Sequence, residues 1–149
     1  MRKIIFVCHG NICRSVAAQF IAEKLAKEQN KEANFIFISR ATSLEEIGND
    51  IYPPMKRALD RANIEYTTHS AQQISQDDYE WADEIYYMDS MNRRYLNNLL
   101  DDYRHIIFPI SKKSPSIGDI DDPWYSGEYD IVIQQIEECL KNIILALNC

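Results

Sequence analysis

Lys3-Ile4-Ile5-Phe6-Val7-Cys8-His9-Gly10-Asn11-Ile12-Cys13-Arg14-Ser15 is the stretch from which the fold can be read. Lys3 to Val7 is a β-branched and aromatic run with no polar alternation, the pattern of a strand buried in a parallel sheet. His9-Gly10-Asn11 breaks the run and predicts a turn. From Ser15 onward Ala17, Phe20, Ile21 and Leu25 share one helical face, while Lys24, Lys27 and Glu28 lie largely on the other. A strand, a tight loop and a helix therefore follow one another.

Outward from there the alternation continues. Asn34 to Ser39 reads as a second strand. Thr42 to Pro54 carries turn residues, including Gly48-Asn49-Asp50 and Pro53-Pro54, and a helical pattern resumes over Met55 to Ala62. Glu84 to Met88 and His105 to Pro109 read as the third and fourth strands, with a helix through Asn92 to Leu100 between them. A loop rich in Ser, Lys and Asp spans Ser111 to Ser126. A final amphipathic helix follows, with Val132, Ile136, Cys139, Leu140, Ile143 and Leu147 at helical spacing. Right-handed crossovers leave few topologies for such a chain, so the sequence predicts an α/β, doubly wound sheet of four parallel strands with helices on both faces. The 149 residues fit one domain, taken as 1–149. Ligands in such sheets bind at the carboxyl ends of the strands, which directs attention to the loop from Cys8 to Ser15.

A net charge of -7, from 16 Lys and Arg against 23 Asp and Glu, argues against broad binding to nucleic acid or to an anionic membrane, both of which need a basic surface. The apolar run after Met1-Arg2-Lys3 stops at His9-Gly10, too short for a secretory signal, and no stretch approaches the roughly 18 apolar residues of a membrane span. The expectation is a cytoplasmic protein in a reducing compartment. Its cysteines at 8, 13, 139 and 149 are then more interesting for their chemistry than as staples.

The Cys8 to Ser15 loop has the makings of an anion site. Its backbone amides and the N-terminus of the following helix attract negative charge, and Gly10 and Asn11 tolerate the positive φ that turns consecutive amides inward. A helix terminus and Arg14 together favour the thiolate of Cys8, making it a nucleophile. The planar fork of Arg14 suits two oxygens of a phosphoryl group, and the Ser15 hydroxyl can donate to the sulfur. A buried cysteine at a strand end is common and often inert. The functional reading is preferred because Cys8, the five residues after it, Arg14 and Ser15 coincide with a strand, loop and helix inferred independently.

Val7-Cys8-His9-Gly10-Asn11-Ile12-Cys13-Arg14-Ser15 resembles the signature of the low-molecular-weight protein tyrosine phosphatases, and Asp122-Pro123-Trp124-Tyr125 resembles the late loop that carries that family's general acid. Weaker likeness extends through Arg40-Ala41-Thr42-Ser43, Ile47-Gly48-Asn49, His69-Ser70-Ala71-Gln72-Gln73-Ile74 and Tyr87-Met88-Asp89. Length and strand order also fit, with the sheet expected in the order 2-1-3-4. The resemblance implies hydrolysis of phosphotyrosine in proteins or peptides, with inorganic phosphate as product and no metal or cofactor. Cys8 would attack phosphorus, Arg14 would clamp the phosphate, and Asp122 would act as acid and then base. His9, Gly10, Asn11, Ile12, Cys13 and Ser15 would complete the phosphate loop, with Asn11, Ser15 and His69 in supporting roles. Ile12, Glu45, Trp124 and Tyr125 would line the substrate slot, the less favoured alternative for Trp124 and Tyr125 being to anchor the final helix. Cys8 and Cys13 would form a protective reversible disulfide.

Some positions depart from the family pattern. Val16 replaces a usual proline, Gln19 a frequent acidic residue, and Glu45 an aromatic wall, which suggests a preference for phosphotyrosine with basic flanks. Three neighbouring chemistries fit less well. Thioredoxin-linked arsenate reduction needs cysteines near the middle of the chain, and none lies between Cys13 and Cys139. Arginine phosphatases tend to have Thr at the position of Ile12, and a phosphocysteine carrier has no use for Asp122-Pro123.

Overall fold

The computed structural model describes residues 1–146; Leu147 and Cys149, singled out above, lie outside the described residues. Strands β1 (Arg2–Cys8), β2 (Phe35–Ala41), β3 (Glu84–Tyr87) and β4 (Ile107–Pro109) form one parallel sheet in the order β2-β1-β3-β4. The fold is thus the single-domain, doubly wound α/β architecture expected from the sequence. β1 sits inside the sheet, and Ile4, Ile5, Phe6 and Val7 are fully buried. Its side chains alternate between two cores, as successive residues of a strand must. Ile4, Phe6 and Cys8 join the core under helices α1 (Arg14–Glu28) and α6 (Tyr129–Ala146), whereas Ile5 and Val7 join the opposite core with Tyr79, Ile85 and Leu96. Two apolar faces explain why the run shows no polar alternation.

Helix α2 (Pro53–Arg61) packs on the first core through Met55, Ala58 and Leu59. It starts at Pro53, ahead of the expected Met55, because proline is well suited to a first turn whose amides have no intrahelical acceptor. Helix α4 (Ser90–Leu99) likewise begins earlier than expected, since Asp89 and Asn92 form a reciprocal cap. Helix α3 (Gln76–Trp81) was not anticipated at all. Six residues, mostly polar, give no readable periodicity, and the signal present was the Ser75/Asp78 capping box. The expected loop from 111 to 126 contains further local structure, a 3-10 turn over Ile110–Lys113 and the single helical turn α5 (Pro123–Ser126). Among the described residues no helix is long and apolar enough to cross a membrane.

Candidate active site

β1 ends at Cys8 and α1 begins at Arg14, so the intervening loop opens at the carboxyl edge of the sheet. Its carbonyls are turned outward. Cys8 O accepts from the Thr42 amide at 2.9 Å, His9 O from Ser43 at 3.0 Å, Ile12 O from Tyr52 at 2.9 Å and Cys13 O from Ala17 at 3.0 Å. Among the described residues, none of the hydrogen bonds is donated by the amides of Gly10, Asn11, Ile12 or Cys13. Four donors at a helix N-terminus are left for an anion. A Cβ on Gly10 would come within 3.3 Å of Glu46 Cγ, so the 44–47 turn lies directly against this loop.

Asn11 is the hub of the loop. It is fully buried with a φ of 60°, a left-handed conformation that asparagine tolerates better than most residues. Its Nδ2 donates to Ser15 Oγ at 2.8 Å, its Oδ1 accepts from the Gln72 amide at 3.2 Å, and its carbonyl meets His69 Nε2 at 2.7 Å. Because a carbonyl only accepts, His69 must carry its proton on Nε2.

Burial, followed in the other direction by the hydrogen bond to Asn11, holds the His69 pKa below its ordinary value of 6.5. The unfolded chain therefore takes up a proton first as pH falls. The stability contributed by the neutral ring is complete above about pH 6.5 and is lost as pH falls through that value towards the folded pKa. His69→Gln keeps an N–H donor and removes the titration. The difference in Tm between wild type and this variant should shrink between about pH 7.5 and pH 5.5; parallel curves would contradict this account.

Cys8 is buried, and its Sγ lies 3.1 Å from Ser15 Oγ and 3.3 Å from the Ser15 amide, which donates to it. A Cys8 thiol donates to Ser15 Oγ. When the sulfur is a thiolate the direction reverses, because Asn11 Nδ2 can only donate and leaves the hydroxyl proton of Ser15 for the sulfur.

Arg14, only 2% exposed, is held by Asp89 Oδ2 at 2.6 Å and by the Ile120 carbonyl at 2.8 Å, both through the same nitrogen. Its second terminal nitrogen stands 3.6 Å from Asp122 Oδ2. Burial alone would pull the guanidinium pKa down, but Cys8, the Asp89 hydrogen bond and the charges of Asp89 and Asp122 raise it, so the side chain stays charged. Asp89 divides its oxygens, one capping α4 and one holding Arg14. Asp122 does the same, with Oδ1 accepting from the Trp124 amide at 3.0 Å while Oδ2 faces Arg14. Burial, then the charges of Cys8 and Asp122, push the Cys13 thiol well up, so it remains protonated at neutral pH.

These groups meet at one cavity of about 160 Å³, roughly the volume that accepts a benzene-sized ring. Cys8, Cys13 and Arg14 lie at its buried end, Ile12, Trp124 and Tyr125 supply apolar wall, and Glu45, Glu46 and Asp122 supply carboxylates. His9 and Gly10 complete the lining, and His9 Nε2 pairs with Glu45 Oε2 at 2.9 Å. Trp124 also packs on Tyr52, with ring centroids 4.8 Å apart, and Tyr52 meets Tyr129 at 6.5 Å, so Trp124 both walls the cavity and leans towards the start of α6. Tyr125 is 86% exposed. Asn11, Ser15 and His69 stand behind the cavity as a hydrogen-bonded network.

The model of the low molecular weight phosphotyrosine protein phosphatase family matches residues 3–148. The chain belongs to that family. It is accordingly an enzyme, a protein-tyrosine phosphatase and hydrolase. Among curated relatives, the low molecular weight phosphotyrosine protein phosphatases of Sus scrofa and Homo sapiens are each 34% identical, over 146 and 151 residues, covering 94% of this chain and 92% of theirs. Among solved structures, a protein tyrosine phosphatase from Entamoeba histolytica superposes with a TM-score of 0.92 at 25% identity, covering 99% of this phosphatase and 97% of that chain. YfkJ from Bacillus subtilis gives 0.93 at 27%, covering 99% and 94%.

Sequence reasoning gave no role to Asp89, Glu46, Gln72 or Tyr52 in this phosphatase. Only Asp89 carried a local signal, the Asp-x-x-Asn cap of α4. The others reach the site through long-range hydrogen bonds or packing that no short window records.

Proposed function

We propose that this phosphatase hydrolyses phosphotyrosine in proteins and peptides, and small aryl phosphates, through a phosphocysteine intermediate. The observation that carries this reading is the convergence of Cys8, Arg14 and Asp122 on one ring-sized cavity beside four loop amides that donate no hydrogen bond among the described residues. In the first step Cys8 Sγ forms a bond to phosphorus as the P–O bond breaks, and Asp122 gives its proton to the leaving phenolate, whose acid has a pKa of about 10. In the second, water attacks phosphorus and yields its proton to Asp122 as the S–P bond breaks, releasing inorganic phosphate and the thiolate. The loop amides and Arg14 stabilise the equatorial oxygens throughout. Ile12, Trp124 and Tyr125 receive the ring, and Asn11, Ser15 and His69 keep the loop in shape. A nucleophilic sulfur works best where thiols stay reduced, which is our reason for assigning the enzyme to the cytoplasm.

The rim of the cavity adds a preference. Glu45 and Glu46 stand at the mouth, and Glu45 is itself 68% exposed in its side chain, so flanking Lys or Arg in the substrate gains an ion pair there. The test is a panel run side by side: phosphotyrosine peptides with basic or acidic flanks, a phosphoarginine substrate, and arsenate with thioredoxin. Phosphate release from the phosphotyrosine peptides, about fivefold faster in kcat/KM with basic flanks at low salt, is the expected result. Faster turnover of phosphoarginine or arsenate would overturn the substrate assignment, and equal rates for the two flanking sets would overturn the preference.

A further inference from the structure

We infer that Tyr52 is a positioning residue that ties the loop bearing Asp122 to the loop bearing Cys8. The inference rests on the reading of Asp122 as the general acid. Tyr52 is fixed along its backbone from both sides. Its amide donates to Ile12 O at 2.9 Å, its carbonyl accepts from Met55 and Lys56 at 2.9 and 3.1 Å, and the stiff Pro53-Pro54 pair follows it. Its half-buried ring packs on Trp124 with centroids 4.8 Å apart, and on its other neighbour Tyr129 at 6.5 Å.

The far end of this connection is the acid. α5 is a single turn of four residues, too short to hold itself in place, so its position depends on what its side chains touch. Pro123 is buried, and the Trp124 ring rests on Tyr52. The Trp124 amide in turn binds Asp122 Oδ1 at 3.0 Å, and the amides of Tyr125 and Ser126 bind the Asp122 carbonyl at 3.1 and 3.3 Å. An unbroken path therefore runs from the phosphate loop carbonyl of Ile12, through Tyr52 and Trp124, to the carboxylate of Asp122. Displacing the acid by even a fraction of an ångström impairs both proton transfers that Asp122 makes, and kcat/KM reads the first of them, in which a proton must reach the leaving group. Tyr52 thereby acts on the leaving-group sensitivity of the reaction and touches no reacting atom.

The experiment measures kcat/KM for phenyl phosphate and for 2,4-dinitrophenyl phosphate, the first needing protonation of its leaving group and the second not. The ratio of the two is taken within one preparation, so any inactive fraction cancels. Tyr52→Leu should lower the ratio about tenfold, Tyr52→Phe should leave it at the wild-type value, and Asp122→Asn should lower it by about a hundredfold or more. A wild-type ratio in Tyr52→Leu, with the Asp122→Asn ratio lowered, would overturn the inference alone. An unchanged ratio in Asp122→Asn would instead overturn the reading of Asp122. Should Tyr52→Leu fail to fold, Trp124→Leu removes the same ring contact from its other side and must lower the ratio for the inference to stand.

Discussion

Cys8→Ser should lower kcat/KM for aryl phosphates and phosphotyrosine peptides by about four orders of magnitude or more. The hydrogen-bond partners of the Cys8 sulfur are the hydroxyl and amide of Ser15, and neither is a base. A serine nucleophile needs a neighbouring base to take its proton, whereas a cysteine can react as a thiolate stabilised by donors and nearby positive charge. Replacing sulfur with oxygen at this position leaves a polar atom beside the Ser15 hydroxyl and amide while removing the sulfur nucleophile of the proposed mechanism. Steady-state hydrolysis of p-nitrophenyl phosphate is the simplest measurement, and residual activity above about 1% of wild type would sink the mechanism. The same sulfur carries the redox reading. Cys8 and Cys13 line one cavity, both as free thiols, and Cys13 is held protonated by burial and by negative neighbours. If the two close a disulfide under peroxide, with two electrons passing to the peroxide, dithiothreitol restores the wild type, whereas in Cys13→Ser a second equivalent of peroxide carries Cys8 from the sulfenic to the sulfinic acid, which dithiothreitol does not reduce. Equal recovery of the two proteins would remove Cys13 from that role.

Arg14→Lys should cost about a hundredfold to a thousandfold in kcat/KM, and by a similar factor for every leaving group. The buried guanidinium spends one terminal nitrogen on Asp89 and the Ile120 carbonyl and keeps the other towards Asp122 and the cavity. A lysine ammonium is a single point of charge and cannot both hold those anchors and present a planar fork to two phosphoryl oxygens. Its positive charge preserves the balance against Asp89 and Asp122, so the loss is one of geometry. The lack of leaving-group dependence distinguishes this residue from Asp122, and activity within about tenfold of wild type would contradict the clamp.

Much of this was legible in the sequence. The Lys3 to Val7 run announced a strand with two buried faces, and the loop after it could be singled out as a candidate anion site, because both readings depend on residue types within one short window. α3 was illegible for the same reason: six mostly polar residues carry no period, and the helix is set by a capping box and by burial of Tyr79. The position of Asp89 was half legible, its helix cap being local and its grip on Arg14 spanning 75 residues of the chain.

By itself, then, the sequence determined the parallel α/β fold and placed a candidate nucleophile and clamp on one loop and a candidate acid on another. Local conformational preference and side-chain chemistry are sufficient for those. The tertiary structure alone decided that Arg14 is buried between Asp89 and Asp122, that His69 holds the Asn11 carbonyl, and that Tyr52 bridges Ile12 and Trp124. These relations join segments brought together by strand pairing and helix crossovers. Contacts of that kind are selected by the packing of the whole chain and leave almost no trace in the residues next to them.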